Sequence, residues 1–200
     1  LYSVNARKGG NVSPIPADHS QNLTGIWPKK VVNYKTVMSD AASGFTSVTY
    51  PFPVIRMADL YLMYAEALNE KGEDYATVLP WIDMVRERSG LQGVKESWDQ
   101  YVGNSKYATQ TGLRQIIMQE RRIELAFEGH YFWDVRRWKT ATTELTQPLT
   151  GWKVRYGETD VDYYSENLVL VRDFTPKMYF WPIDIGELRK DPNLVQNYGW

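Results

Sequence analysis

Cysteine is absent from the 200 residues, which excludes disulfides and thiolate-held metals. That fits a reducing compartment, and equally an exported protein large enough to be held by its core alone. A surplus of charge of either sign is also missing: 23 basic and 24 acidic side chains leave a formal net charge of −1. Binding to phosphates needs a basic surplus, so no nucleic-acid partner is expected. Nowhere do about 18 apolar residues run together, so no segment reads as a membrane-spanning helix. Histidine is scarce, with only His19 and His130. Neither has a second His or a Cys at metal-ligand spacing, and no placed nucleophile makes a triad. No glycine-rich loop has the spacing of a phosphate cradle. The amino end, Leu1-Tyr2-Ser3-Val4, carries neither an initiating Met nor a secretion signal, and the chain reads as excised from something longer.

What is plentiful is aromatic: Phe, Trp and Tyr make up 14% of the chain, with 8 Trp and 14 Tyr. Rings in that number serve a core or a surface that stacks on flat ligands. A chain of this length can bury roughly 70% of its unfolded surface, so it needs no covalent staple.

From 1 to 53 there is no sustained period, and Gly9, Gly10, Pro14, Pro16, Pro28, Pro51 and Pro53 punctuate loops and short strands. Residues 31–37 read as one strand. Helical spacing begins near Arg56, with Met57, Leu60, Tyr61, Tyr64, Ala65 and Leu68 as an apolar stripe and Gly72 as the stop. A second helix is expected from Thr77, its cap, to Ser89, with Leu79, Ile82 and Val85 inward. The two make an antiparallel hairpin of about the tetratricopeptide period. Residues 91–112 read as loop. A third helix is expected from Leu113 to Glu128, with Ile116, Ile117, Ile123 and Phe127 buried, and a short one over 131–138. Residues 140–174 read as irregular, 178–181 as a short strand, and Asp184 as the cap of a final helical turn.

Four blocks carry a family resemblance. Arg56-Met57-Ala58-Asp59-Leu60-Tyr61-Leu62-Met63-Tyr64-Ala65-Glu66-Ala67 resembles the opening helix of SusD/RagB-type outer-membrane lipoproteins, and Val85-Arg86-Glu87-Arg88-Ser89-Gly90-Leu91 is similar to their next block. Glu120-Arg121-Arg122-Ile123-Glu124-Leu125-Ala126-Phe127-Glu128-Gly129-His130 followed by Phe132-Trp133-Asp134-Val135-Arg136-Arg137-Trp138 resembles their most distinctive block. Trp181-Pro182-Ile183 and Asp191-Pro192-Asn193-Leu194-Val195-Gln196-Asn197-Tyr198-Gly199-Trp200 resemble their closing one. The resemblance implies a mainly α fold: a helical-hairpin, tetratricopeptide-like scaffold with long irregular loops and a few short strands. It also implies that residues 1–200 are the carboxy-terminal part of one such domain. Within it, 1–53 is a loop and short-strand region, 54–139 the helical core, and 140–200 a loop region with a closing strand and turn. It further implies non-catalytic capture of oligosaccharides at the cell-surface face of the outer membrane. The parent protein would be lipid-anchored there beside a SusC-like TonB-dependent transporter.

Glu120, Glu124 and Glu128 stand four apart, on one helical face. A glycosidase would need two such carboxyls about 5–10 Å apart. The nearby Arg121, Arg122, Arg136 and Arg137 are instead expected to pair with them as a structural network. Glu158, Asp160, Asp162 and Glu166 form an acidic loop cluster. Calcium is the one cofactor it would suit, although the EF-hand spacing is missing and a solvated loop is the default reading. Sugars are recognised by rings against their C–H faces while polar groups bond the hydroxyls, so the rings must be exposed on loops. Trp27, Tyr34, Trp98, Tyr101, Trp152, Tyr156, Tyr163 and Tyr164 lie in such segments. Among them Trp27, Tyr34, Trp152, Tyr156 and Tyr164 are the expected ligand-binding residues. The competing expectation is a helical scaffold that binds a protein or peptide and has no glycan site.

Overall fold

The computed structural model of the protein describes residues 24, 28, 30, 32–38, 45–153 and 159–200. Trp27, Tyr156, His19 and Glu158 lie outside the described residues. The chain divides into two compact units, one of residues 30–133 and the other of 1–29 with 134–200.

The 30–133 unit is helical apart from two-residue strands β1 (Val37–Met38) and β2 (Phe45–Thr46), paired antiparallel with Val37 opposite Thr46. The strand expected over 31–37 shrinks to β1 because Asn33 starts a turn. Its side-chain oxygen accepts from the Lys35 N–H at 2.9 Å and its carbonyl from the Thr36 N–H at 2.9 Å.

Helix α1 (Met57–Lys71) stops at Gly72, whose φ of 88° is the left-handed value that a side chain resists. The Gly72 and Glu73 N–H groups then close the helix on the Asn69 and Leu68 carbonyls, both at 3.1 Å. Helix α2 (Tyr75–Arg88) follows at once, giving the expected hairpin. Its cap is Asp74, not Thr77: the Asp74 carboxylate accepts from the Ala76 N–H at 2.6 Å. Pro80 therefore sits in the second turn, where it leaves the Ala76 carbonyl without a helical partner. Ala76 is exposed, so water can reach that carbonyl.

The core packs Ala58, Leu62 and Ala65 of α1 against Val78, Leu79, Ile82 and Val85 of α2. Leu113, Ile116 and Ile117 of α4 (Gln110–Glu124) close it. The buried face of α1 thus differs from the expected stripe: Met57, Leu60 and Tyr64 point outward. Apolar residues surround most of this helix, so periodicity alone does not say which side α2 and α4 will cover. Tyr61 and Tyr64 roof Trp81 instead, the second edge-on at 4.7 Å between centroids.

Residues 91–112 are more ordered than a loop. Helix α3 (Val94–Ser97) runs into a π-helical turn, Trp98–Val102, and a 3-10 turn, Lys106–Ala108, precedes α4. Side chains of α2 create this order. The Asp83 carboxylate accepts from the Val94 N–H at 2.7 Å, and Arg86 Nε donates to the Gln92 carbonyl at 2.8 Å. Helix α5 (His130–Arg137) carries the chain across the division between units.

In the second unit, α6 (Ala141–Glu144) leads into a hairpin of β3 (Leu149–Trp152) and β4 (Glu166–Leu170). The pairing is antiparallel, with Trp152 opposite Glu166, and α7 (Asp160–Tyr163) lies on the connection. The expected irregular stretch therefore holds paired strands. The strand expected over 178–181 is absent: Pro176–Tyr179 is a 3-10 turn begun by a proline whose φ is preset for it. The Arg136 guanidinium lies 5.3 Å from the Phe174 ring centre and 5.6 Å from that of Trp181, and donates to the Tyr179 carbonyl at 3.3 Å. Asp184 caps α8 (Ile185–Lys190) as expected, accepting from the Gly186 N–H at 2.7 Å.

Leu62 is 0% exposed, whereas Met63 beside it is 42% exposed. Leu62→Ala should cost about 2–5 kcal/mol through lost burial and an unfilled cavity, and Met63→Ala within about 0.5 kcal/mol. Urea unfolding of the two variants checks the assignment of the buried face.

Candidate functional site

The acidic face of α4 is ion-paired, by partners other than those expected. Glu120 meets Arg86 of α2, and Glu124 meets Arg56 at 2.8 Å and Arg88 at 2.7 Å. Helix α4 ends at Glu124, one turn short of the expected Glu128, and Phe127 reverses the chain with a left-handed φ of 64°. Such a backbone costs a non-glycine residue on the order of 1–3 kcal/mol. What offsets it is a two-pronged bond: Arg56 Nε and Nη2 donate to the two Glu128 carboxylate oxygens at 2.8 and 2.7 Å. Arg56 Nη2 also reaches the Glu124 carbonyl at 3.1 Å, joined there by Lys30, so two cations close the helix's negative end. Lys30 pairs with Glu128 as well, at 2.6 Å.

Arg121, expected to serve these glutamates, turns instead into the core, where it is 2% exposed and donates to Asp59 at 2.9 Å. One residue of offset on a helix rotates a side chain by about 100°, which turns Arg121 away from Glu120. Ile123 and Phe127 are exposed and not buried. Arg56, Lys30 and the Asp59–Arg121 pair were missed by motif reading. The available signal was Asp59 itself, a lone carboxylate inside an apolar helical run. Each of Glu120, Glu124 and Glu128 has a cationic partner.

In the second unit two of the expected rings meet, Tyr164 exposed and Trp152 half-buried. Trp152 ends β3 and Tyr164 ends α7, and their rings meet edge-on, 5.5 Å between centroids at 81°. Tyr163 supports them from beneath, 5.0 Å from Tyr164 and buried, and its carbonyl accepts from the Lys153 N–H at 3.0 Å. That burial, with Tyr164 beside it, pushes the Tyr163 phenol above its ordinary pKa. Tyr164 remains 63% exposed. Thr159 Oγ1 accepts from the Asp162 N–H and donates to the Asp162 carboxylate at 2.8 Å, fixing the short helix that aims these rings. Gly151 is required next to Trp152, because a Cβ there would lie 2.8 Å from the Thr24 Cα. The Trp152 N–H donates to the Thr24 carbonyl at 3.1 Å.

Of the expected ligand residues, Trp152 and Tyr164 are therefore brought together. Tyr34 belongs to the 30–133 unit, where its ring is 87% exposed with the Lys35 ammonium 5.7 Å from its centre. Trp27 and Tyr156 lie outside the described residues. Trp98 is half-buried against the helical core, while Tyr101 is exposed. Among the described residues no group of three or more His, Asp or Glu side chains gathers as a metal site.

A model of the SusD family matches residues 7–200. The chain is 39% identical over 144 residues to SusD-like protein P25 of Formosa agariphila, covering 72% of this chain and 23% of that protein. It is 37% identical over 140 residues to SusD-like protein P2 of the same organism, covering 70% and 27%. Among solved structures, a SusD-like carbohydrate binding protein from Bacteroides fragilis is 32% identical with a TM-score of 0.56, over 72% of this chain and 28% of that one. The chain spans about a quarter of the length of the relatives it matches.

Burial alone would raise the Glu128 carboxyl, but hydrogen bonds from Arg56 and Lys30 outweigh it and hold the pKa below its ordinary 4.5. A depressed carboxylate stabilises the fold above its unfolded pKa and loses that contribution as pH falls through the folded value. Stability should therefore decline from about pH 4.5 downward, and Glu128→Gln should flatten part of that decline. The part due to Glu70, depressed by Arg114, should remain. Urea unfolding as a function of pH measures both.

Proposed function

The chain belongs to the SusD family, and on that premise we propose that its parent protein captures oligosaccharides without cleaving them. On this reading it works at the cell-surface face of the outer membrane, held by a lipid anchor and delivering ligand to a SusC-like TonB-dependent transporter. The described helices include none long and apolar enough to cross a membrane. The observation that carries the proposal is the edge-on pair of half-buried Trp152 and exposed Tyr164, on a hairpin that their own neighbours brace. An edge-on pair offers two ring surfaces at an angle, suited to the C–H faces of adjoining sugar rings. Polar side chains beside it, Asn167 and Glu166 among them, are exposed and available to hydroxyls. We assign ligand contact to Trp152 and Tyr164, with Trp27, Tyr34 and Tyr156 as further contacts.

One observation favours a second reading, a helical scaffold that docks a protein or peptide. Met57, Leu60, Met63 and Tyr64 form an exposed apolar row along α1. The two readings separate in one titration of the family-length protein with an oligosaccharide panel, following tryptophan fluorescence and new reducing ends together. Capture gives saturable binding with no product. Trp152→Ala and Tyr164→Ala should each weaken it about tenfold or more, the worth of a lost stacking face near 1.4 kcal/mol. Binding unchanged in the double variant would reject the site. Reducing ends that vanish in Glu124→Gln would replace capture with catalysis.

A further inference from the structure

Helix α3 has four residues, too few to stand without tertiary help, and a side chain of α2 supplies that help. Asp83 Oδ1 accepts from the Val94 N–H at 2.7 Å, and the Val94 side chain beside it is fully buried. The other oxygen of Asp83 has an acidic neighbour. At Gly93, the residue before α3, an added Cβ would collide with Glu96 Oε2 and lie 3.1 Å from Asp83 Oδ2. Two carboxylates, one from each helix, thus close over the space of a single missing methyl group.

Among the described residues no ion pair holds either of them, because the nearby cations are engaged elsewhere. Arg86, the cation that acts on Asp83, is bonded to Glu120 of α4, to the Gln92 carbonyl at 2.8 Å and to Ser97 Oγ at 3.0 Å. Lys95, next to Glu96 on α3, is bonded to Asp99 at 2.7 Å. Like charges placed together are relieved by a cation or by a proton. Two carboxylates fall well short of the six to eight oxygens that calcium takes, which leaves the proton. Burial, and after it the charge of Glu96, raises the Asp83 carboxyl above its ordinary 3.8, against the Val94 N–H and Arg86, which lower it.

We propose that Asp83 and Glu96 form a proton-operated latch between α2 and α3. On acidification Asp83 Oδ2 takes one proton from solvent and donates it in a hydrogen bond to the Glu96 carboxylate, while Oδ1 keeps the Val94 N–H. Repulsion becomes attraction, and α3 is drawn onto α2. The segment so held runs on through the π-helical turn that carries exposed Tyr101. A carboxyl raised by folding adds stability that is complete below its unfolded pKa and is lost as pH rises through the folded value. That sense is opposite to the contribution of Glu128. The latch is independent of what the Trp152–Tyr164 pair binds.

The test titrates the isotope-labelled chain from about pH 8 to about pH 4, on both sides of the range in which a raised carboxyl changes charge. It reads the Asp83 carboxyl carbon and the Val94 amide together by NMR. Asp83 should take up its proton within that range, and the Val94 amide should shift with the same midpoint. In Glu96→Gln, a change at an exposed position, both midpoints should fall toward 3.8. In Asp83→Asn, whose amide donates as the protonated carboxyl does, the Val94 amide should hold its acid position at every pH. An Asp83 midpoint unmoved by Glu96→Gln would assign the whole effect to burial and overturn the latch. A Val94 amide that ignores the titration, or an Asp83 carboxyl still ionised at the acid end, overturns it equally. Should Asp83→Asn fail to fold, the unmodified chain and Glu96→Gln decide between them.

Discussion

Arg56 is the point on which the helical unit turns. A guanidinium presents its N–H groups in one fixed plane, so it can hold two carboxylates and a carbonyl only if all three are brought to that plane. Here Nε, Nη1 and Nη2 all donate, to Glu128, Glu124 and the Glu124 carbonyl. That demand ends α4 at Glu124 and sustains the left-handed turn at Phe127. Lone surface ion pairs contribute about 0–1 kcal/mol. This cluster is different in kind, with side-chain exposures of 19%, 13% and 14% for Arg56, Glu124 and Glu128. Removing one member of a fully buried pair costs about 3–5 kcal/mol, because the survivor stays desolvated, and this part-buried cluster stands between the two limits.

The blocks that carry the family resemblance turn out to be the blocks that bond to one another. Arg56 and Asp59 of the first reach Glu124, Glu128 and Arg121 of the third, and Arg86 and Arg88 of the second reach Glu120 and Glu124. Their charged positions are therefore explained by mutual neutralisation within the helical unit, with no ligand required. Spacing alone pointed to neighbouring arginines because it measures distance along the chain. The observed partners come from more than 30 residues away, as with Arg86 and Glu120, separated by 34.

Much of the architecture was legible for the same reason that some of it was not. The hairpin, its Gly72 stop, the inward row of α2 and the Asp184 cap are local consequences of period and capping chemistry, and a single sequence carries them. The buried side of α1, the order within 91–112 and the β3–β4 pairing depend on partners brought from elsewhere. Asp83 capping Val94 is a plain case, since nothing near Val94 announces that a carboxylate of α2 will meet it. The rings divide likewise. Trp152 and Tyr164 were legible as loop aromatics, but their edge-on contact follows from strand pairing and from the Thr159 cap.

The separation of charge from ring surface bears on what kind of ligand the protein suits. The carboxylates of the α4 face are held by cations and the net charge is close to zero, so little long-range field remains to draw in an ion. A neutral ligand gains nothing from such a field and must be held by contact alone, through stacking and hydroxyl bonds at short range. Affinity of that kind resides mainly in the off-rate and depends on rings kept in place before the ligand arrives. Tyr163 buried beside Tyr164, and the Thr24 backbone laid against Gly151, do that for the Trp152–Tyr164 pair. A ring surface braced in advance meets that requirement.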